Sequence, residues 1–242
     1  MNKNSYVLIS NLSLSLNGKQ VLKNINIQLF RGRIYGLIGP SGSGKSVFLK
    51  TLCGIFTNFS GRIHFEAVNQ IAAQFQEGGL IDYLTTADNI AVQILRGRQF
   101  LSELNYREKK DVFNKVYSAA EFLNIKEALF KYPHELSGGM KKRVVLGRAL
   151  VGEPDLLILD DPLAGLDPIN SKNAVRKILN ITNSFKPVTL ISFHSLRFIW
   201  NHVSSIIFFE NGECKFFQEK NEIKSSDRVL KFVSCKEDIF DV

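Results

Sequence analysis

The chain opens on alternation. Leu12, Leu14 and Leu16 are separated by polar residues, Asn17-Gly18 interrupts them, and Ile25, Ile27 and Leu29 resume the pattern. A period of two on both sides of Asn-Gly predicts two strands joined by a tight hairpin. Residues 33–38 then read as a buried strand, 47–52 as a helix, and 62–65 and 71–75 as short strands. From about Thr85 to Arg148 the period becomes helical. Ile90, Ile94 and Leu95 fall on one face, and Val112, Phe113, Val116, Tyr117, Ala120 and Leu123 form a longer apolar stripe. Pro133 breaks this run, and a new helix is expected near Ser137.

Beyond it, Leu156-Leu157-Ile158-Leu159 is a wholly apolar strand ending in Asp160-Asp161. A helix follows Pro168 with Ala174, Val175, Ile178 and Leu179 on one side. Residues 188–192 form the next buried strand, and two apolar runs flank Asn211-Gly212 as a second hairpin. Residues 225–242 are expected to add one helix. Strands that alternate with helices predict an α/β fold with an antiparallel β edge. Residues 84–150 read as a helical subdomain inserted into it. No repeat or linker divides the chain, so 1–242 is read as one domain.

A length of 242 residues with 45% hydrophobic content supports one substantial core. No apolar run approaches the roughly 20 residues that span a bilayer, and Met1 to Ser5 leads into strand-like alternation without a signal-peptide core. A cytoplasmic location is expected. Three widely spaced cysteines argue against a disulfide framework or a zinc site. The net charge of +8 is spread over scattered lysines. Without an aromatic-basic ladder it does not indicate nucleic acid, and it leans towards a membrane-adjacent position.

Candidate chemistry begins at Gly39-Pro40-Ser41-Gly42-Ser43-Gly44-Lys45-Ser46, between a predicted strand and a predicted helix. Glycines let successive N–H groups converge on an anion, Lys45 brings an ammonium to the outer phosphates, and the Ser46 hydroxyl suits Mg²⁺. The following helix directs its positive end at the same point. The segment predicts nucleoside triphosphate binding. Ser137-Gly138-Gly139 at a helix start forms a second anion-binding corner, and Asp160 ends a strand as the Mg²⁺ carboxylate of a phosphate-loop site does.

In this order the motifs resemble the ATP-binding cassette (ABC) ATPases over nearly the whole chain. The phosphate loop is followed by a glutamine loop at Gln76, the signature at 136–140, the Asp160 strand, a D-loop ending in Asp167 and a switch histidine at His194. The resemblance implies a phosphate-loop NTPase fold of ABC type, with ATP and Mg²⁺ as cofactors. It implies a head-to-tail homodimer in which Ser137, Gly138 and Gly139 of one copy meet the ATP held by Lys45 of the other. Ser46, Gln76 and Asp160 would attend Mg²⁺, Asp161, Gln76 and His194 would serve hydrolysis, and Asp167 would link the two sites.

Residues 75–80, 84–85, 88–90, 132–144 and 164–169 are similar to the Mla/Mce-type lipid-transport ATPases. That similarity implies phospholipid transport through integral membrane permease subunits, with a Mce-type lipid-binding protein as a further partner, at the cytoplasmic face of the inner membrane. Cassettes for amino acids or lipoproteins, and a structural cassette with attenuated hydrolysis, stand as alternatives.

Three departures from the family pattern matter. Position 161 is Asp where the family has Glu, a loss of roughly 1.5 Å of reach, and misplacement on that scale costs about a hundredfold in rate. Slow hydrolysis with intact ATP binding is therefore expected. The aromatic that stacks on adenine is missing near Leu14 and Leu16, so either adenine is held more loosely or Tyr6 substitutes. The span from Lys45 to Gln76 is short, which trims the β-rich edge after Gly61.

Overall fold

The computed structural model describes residues 6–75, 79–95, 104–193 and 200–219. Strands β1 (Tyr6–Leu16) and β2 (Lys19–Phe30) form the predicted first hairpin, and β3 (Ile34–Ile38) leads into α1 (Lys45–Leu52). Then come β4 (Phe59–Glu66), β5 (Ile71–Gln74), α2 (Thr86–Ala91), α3 (Tyr106–Phe122) and α4 (Gly138–Leu150). The chain continues through β6 (Leu156–Asp160), α5 (Pro168–Phe185), β7 (Val188–Ser192), β8 (Ser205–Glu210) and β9 (Glu213–Glu219).

Two sheets result. One is antiparallel, in the order β2-β1-β4, and β4 is its open edge. Asn17 (φ 49°) and Gly18 (φ 76°) both take the left-handed conformation that a two-residue hairpin turn needs. The other sheet runs β5-β6-β7-β3-β8-β9, parallel from β5 to β8 and closed by antiparallel β9.

The central strands are buried on both faces and mostly apolar, as suits a doubly covered parallel sheet. Tyr35, Leu37, Leu156, Ile158, Val188 and Leu190 pack with Phe48, Leu49 and Leu52 of α1 and with β1 and β2. The alternate residues Leu157, Leu159, Ile191 and Phe208 pack with Ile90, Val116, Val144 and Ile178 of the helices. The helices between 86 and 150 therefore share a core with the sheet they cover.

Two expectations change. Helix α2 stops at Ala91 and Val92–Ile94 is a 3₁₀ turn, so Ile94 does not continue the face of Ile90. The Gln93 amide, which donates to the Ile71 carbonyl at 3.0 Å, anchors that turn to β5. Phe113 and Tyr117 lie off the buried stripe and are 38% and 40% exposed, while Ala119 takes a buried place. The helical pitch puts 112, 116, 119 and 123 in line and leaves 113 and 117 to one side. Gln76, His194 and the 225–242 segment lie outside the described residues.

Asn89 organises the approach to α2. It is fully buried, its amide donates to the carbonyls of Ile81, Leu84 and Thr85, and its Oδ1 accepts from Ile81 N–H at 2.8 Å. Asn89→Ala strands several buried backbone groups at about 1–3 kcal/mol each. Thermal unfolding should show Tm lower by at least about 5 °C, at about 2–4 °C per kcal/mol.

Candidate functional site

Because β3, β5, β6, β7 and β8 are parallel, their carboxyl ends lie along one edge of the sheet, where open α/β sheets place ligands. Residues 39–46 leave β3 at this edge and enter α1 at Lys45, with Gly44 as N-cap. Ser41 and Gly42 form the exposed crest, Pro40 and Ser46 are half-buried, and Ser43, Gly44 and Lys45 are buried.

The loop is clamped from behind. A Cβ on Gly39 (φ 147°) would lie 2.0 Å from the Phe209 carbonyl oxygen. The Asn211-Gly212 turn does more than join β8 to β9. Gly212 N–H donates to the Ser43 carbonyl at 3.0 Å, and the Gly212 carbonyl accepts from Lys23 N–H at 2.8 Å. A Cβ on Gly212 would fall 2.3 Å from the Val21 carbonyl oxygen. The phosphate-type loop thus rests on the β8–β9 turn and on β2. Inside it the Lys45 ammonium donates to the carbonyls of Gly39 (2.8 Å) and Pro40 (2.9 Å) and to Ser43 Oγ (3.4 Å).

Asp160 ends β6 and is 4% exposed. It shares parity with Leu156 and Ile158, so its carboxylate is on the α1 face of the sheet. Ser192 stands opposite it in register at the end of β7. The Ser192 hydroxyl donates to Asp160 Oδ1 at 2.5 Å and accepts from Asp161 N–H at 2.9 Å. Asp161 itself takes a left-handed backbone, φ 51°. On the other flank Gln74 Nε2 donates to the Asp160 carbonyl at 3.4 Å, and Gln74 Oε1 is buried without a hydrogen-bond partner.

Among the described residues no group of three or more His, Cys, Asp or Glu could hold a metal alone. The Asp160 carboxylate and Ser46 hydroxyl are hard oxygen donors, and such a pair fits Mg²⁺ when phosphate oxygens and water complete the shell.

Ser137, which is exposed, caps α4 by accepting from Met140 N–H at 3.3 Å. A Cβ on Gly138 or Gly139 would meet nothing within 4 Å. This corner is open to a second molecule. Arg143 anchors α4 to the carbonyls of Leu123 and Asn124, and the Lys142 ammonium donates to the Ala164 carbonyl at 3.1 Å. Asp167 caps α5, and hydrogen bonds from the Asn170 backbone and side chain hold its carboxyl below the usual range. Gln76 and His194, the remaining site residues expected from the sequence, fall outside the described residues.

Tyr6 does not substitute for an adenine-stacking aromatic. The phosphate-type loop abuts β2 at Val21 and Leu22, and Leu22 is paired with Leu14. Tyr6 is eight residues further along β1, about 25 Å at strand rise, with its ring against His64. Leu16 occupies the near end of β1 and is half-buried.

Ser192, Gln74 and Gly212 escaped the sequence reading. The first two carry a recognisable signal, a polar residue closing a largely apolar strand.

The family model described as ABC transporter matches residues 22–164. The chain is similar to the sulfate/thiosulfate import ATP-binding protein CysA of Mesostigma viride, 31% identical over 226 residues, which span 90% of this chain and 63% of that protein. It is 32% identical over 213 residues to the tungstate uptake system ATP-binding protein TupC of Peptoclostridium acidaminophilum, covering 85% of this chain and 95% of the relative. Among solved structures, the dimeric post-hydrolysis state of the cassette MJ0796 bound to ADP and Pi superposes with a TM-score of 0.78 at 19% identity. It covers 90% of this chain and all (100%) of that one.

Proposed function

The chain belongs to the ABC transporter family, as an ATP-binding cassette ATPase, and from that premise we propose that it drives a separate membrane permease by binding and hydrolysing ATP. The observation that carries this reading is the gathering of residues 39–46, Asp160, Asp161 and Ser192 at one sheet edge, with an exposed signature corner elsewhere on the same chain. Residues 39–46 cradle the phosphates, with Lys45 against their outer charge, and Ser46 and Asp160 would hold Mg²⁺, which would supply neutralisation of phosphate charge. Asp161 orients water for attack, assisted by Gln76 and His194. Ser137, Gly138 and Gly139 close the site of a second copy, and Asp167 links the two sites across the dimer. Residues 84–150 form a helical subdomain that receives the permease.

Among the described residues no helix is long and apolar enough to cross a membrane. In this reading the permease holds the cassette at the membrane, on the side that supplies ATP.

The composite site has a direct test. With Asp161→Asn to slow turnover, ATP should shift the chain from monomer to dimer in size-exclusion chromatography. Adding Gly138→Asp places a carboxylate at the triphosphate and should abolish the shift while leaving nucleotide binding by the monomer intact. A double variant that dimerises as well as its parent would exclude the sandwich arrangement.

For the cargo, the first reading is a tetrahedral oxyanion, supported by relatives whose names specify sulfate/thiosulfate and tungstate. Neither relative is named for lipid, and a Mce-type partner gains no support from them. Lipid remains the second reading, on the residues of 75–80 and 132–144. Cassette and permease co-purified and reconstituted in vesicles distinguish the two. ATP-dependent accumulation of radiolabelled sulfate or of tungstate supports the first, and ATP-dependent movement of labelled phospholipid supports the second.

A further inference from the structure

We propose that Ser192 is a positioning residue for hydrolysis, holding the Asp160 carboxylate and the Asp161 peptide in one fixed arrangement through a single hydroxyl. Ser192 is 2% exposed, at the end of β7, where the residues sharing its face, Val188 and Leu190, are apolar and buried. Burying a hydroxyl there is costly unless it is fully bonded. Both of its bonds go to the two carboxylate residues. The one proton of the hydroxyl is spent on Asp160 Oδ1, at 2.5 Å, and its lone pairs then accept the Asp161 N–H at 2.9 Å. Donor and acceptor roles are thereby locked, and neither bond survives reversal of the hydroxyl.

Two consequences follow from this geometry. With Oδ1 engaged by a short charge-assisted bond, rotation of the Asp160 carboxylate breaks that bond, so the second oxygen is held in one direction. The Asp161 N–H, shared between Ser192 Oγ and the Ser192 carbonyl at 3.2 Å, orients the peptide at which the chain turns into its left-handed residue. Ser192 acts through Asp160 and Asp161, and in this its role rests on the reading of Asp160 as the Mg²⁺ carboxylate.

The test compares Ser192→Ala, the near-isosteric Ser192→Cys and the hydroxyl-retaining Ser192→Thr with wild type. Mn²⁺ affinity of the ATP-bound chain is read by electron paramagnetic resonance. Fluorescent ATP binding without metal, steady-state turnover and thermal unfolding are measured on the same proteins. Losing an outer-shell partner of a metal ligand should weaken Mn²⁺ binding by roughly tenfold or more. Turnover should fall in step in the Ala and Cys variants, with metal-free nucleotide binding unchanged and recovery in Ser192→Thr. Mn²⁺ affinity and turnover within twofold of wild type in both Ala and Cys, with only Tm altered, would overturn the proposal. Should Ala not fold, Cys alone decides by the same criterion. Asp160→Asn is the control. If it leaves Mn²⁺ affinity intact, the assignment of the metal site fails, and that outcome is separate from a failure of Ser192.

Discussion

Lys45→Ala is expected to abolish ATP binding at micromolar nucleotide and, with it, all turnover. The ammonium is the one cation within the loop 39–46 and is held there by the Gly39 and Pro40 carbonyls. Its exchange from those neutral acceptors to ionised phosphate oxygens gains charge-assisted bonds worth about 1.5–3 kcal/mol each. Two such bonds correspond to at least about a hundredfold in affinity at about 1.4 kcal/mol per decade. Because the same ammonium also ties the loop together, Lys45→Met is the sharper companion, since it keeps the aliphatic stem and removes the charge. Fluorescent-nucleotide titration should show equal loss in both. Binding restored in Lys45→Met would mean that the side chain only props the loop.

The second large effect is expected at position 161. Asp161→Asn should lower turnover by about 10²–10⁴-fold, the range for loss of a general base, with ATP affinity unchanged. Asp161→Glu separates two opposing terms. Glu regains roughly 1.5 Å of reach, which should raise turnover on the order of tenfold to a hundredfold. The backbone at φ 51° works the other way, because Asp and Asn tolerate the left-handed region and longer side chains do not. That strain is carried in ground and transition states alike, so it is expected in stability instead of rate. A cost of about 1 kcal/mol lowers Tm by about 2–4 °C. A steady-state assay and a melting curve on one preparation test both terms. A turnover unchanged or lowered by Glu would show that Asp161 is not what limits hydrolysis.

The parts of this molecule that could be read from the chain are those whose physics is local. The hairpins at Asn17-Gly18 and Asn211-Gly212, the apolar strand before Asp160 and the cap at Ser137 each announce themselves within a few residues, and each stands where expected. Phe113 and Tyr117 misled because aromatics in a helical stripe look alike whether they face a core or lie on its flank. Here the two rings pack on each other at 6.2 Å, and the Lys126 ammonium stands over Tyr117. Tyr6 misled because distance along a strand is invisible until its register is known. The Asp160–Ser192 bond and the Gly212 clamp join segments far apart in sequence, through one hydroxyl and one backbone N–H, and no short motif encodes either.

Strand β3 has a consequence for the order in which this protein becomes competent. It is made early, yet both of its neighbours in the sheet, β7 and β8, come from residues 188–210. The wall behind its loop comes from Gly212. A chain still emerging from the ribosome with Lys45 already outside has neither side support for β3 nor a floor for the loop. ATP capture is thus deferred until nearly the whole described fold has been synthesised, and incomplete chains cannot occupy a nucleotide site that only the finished cassette should use.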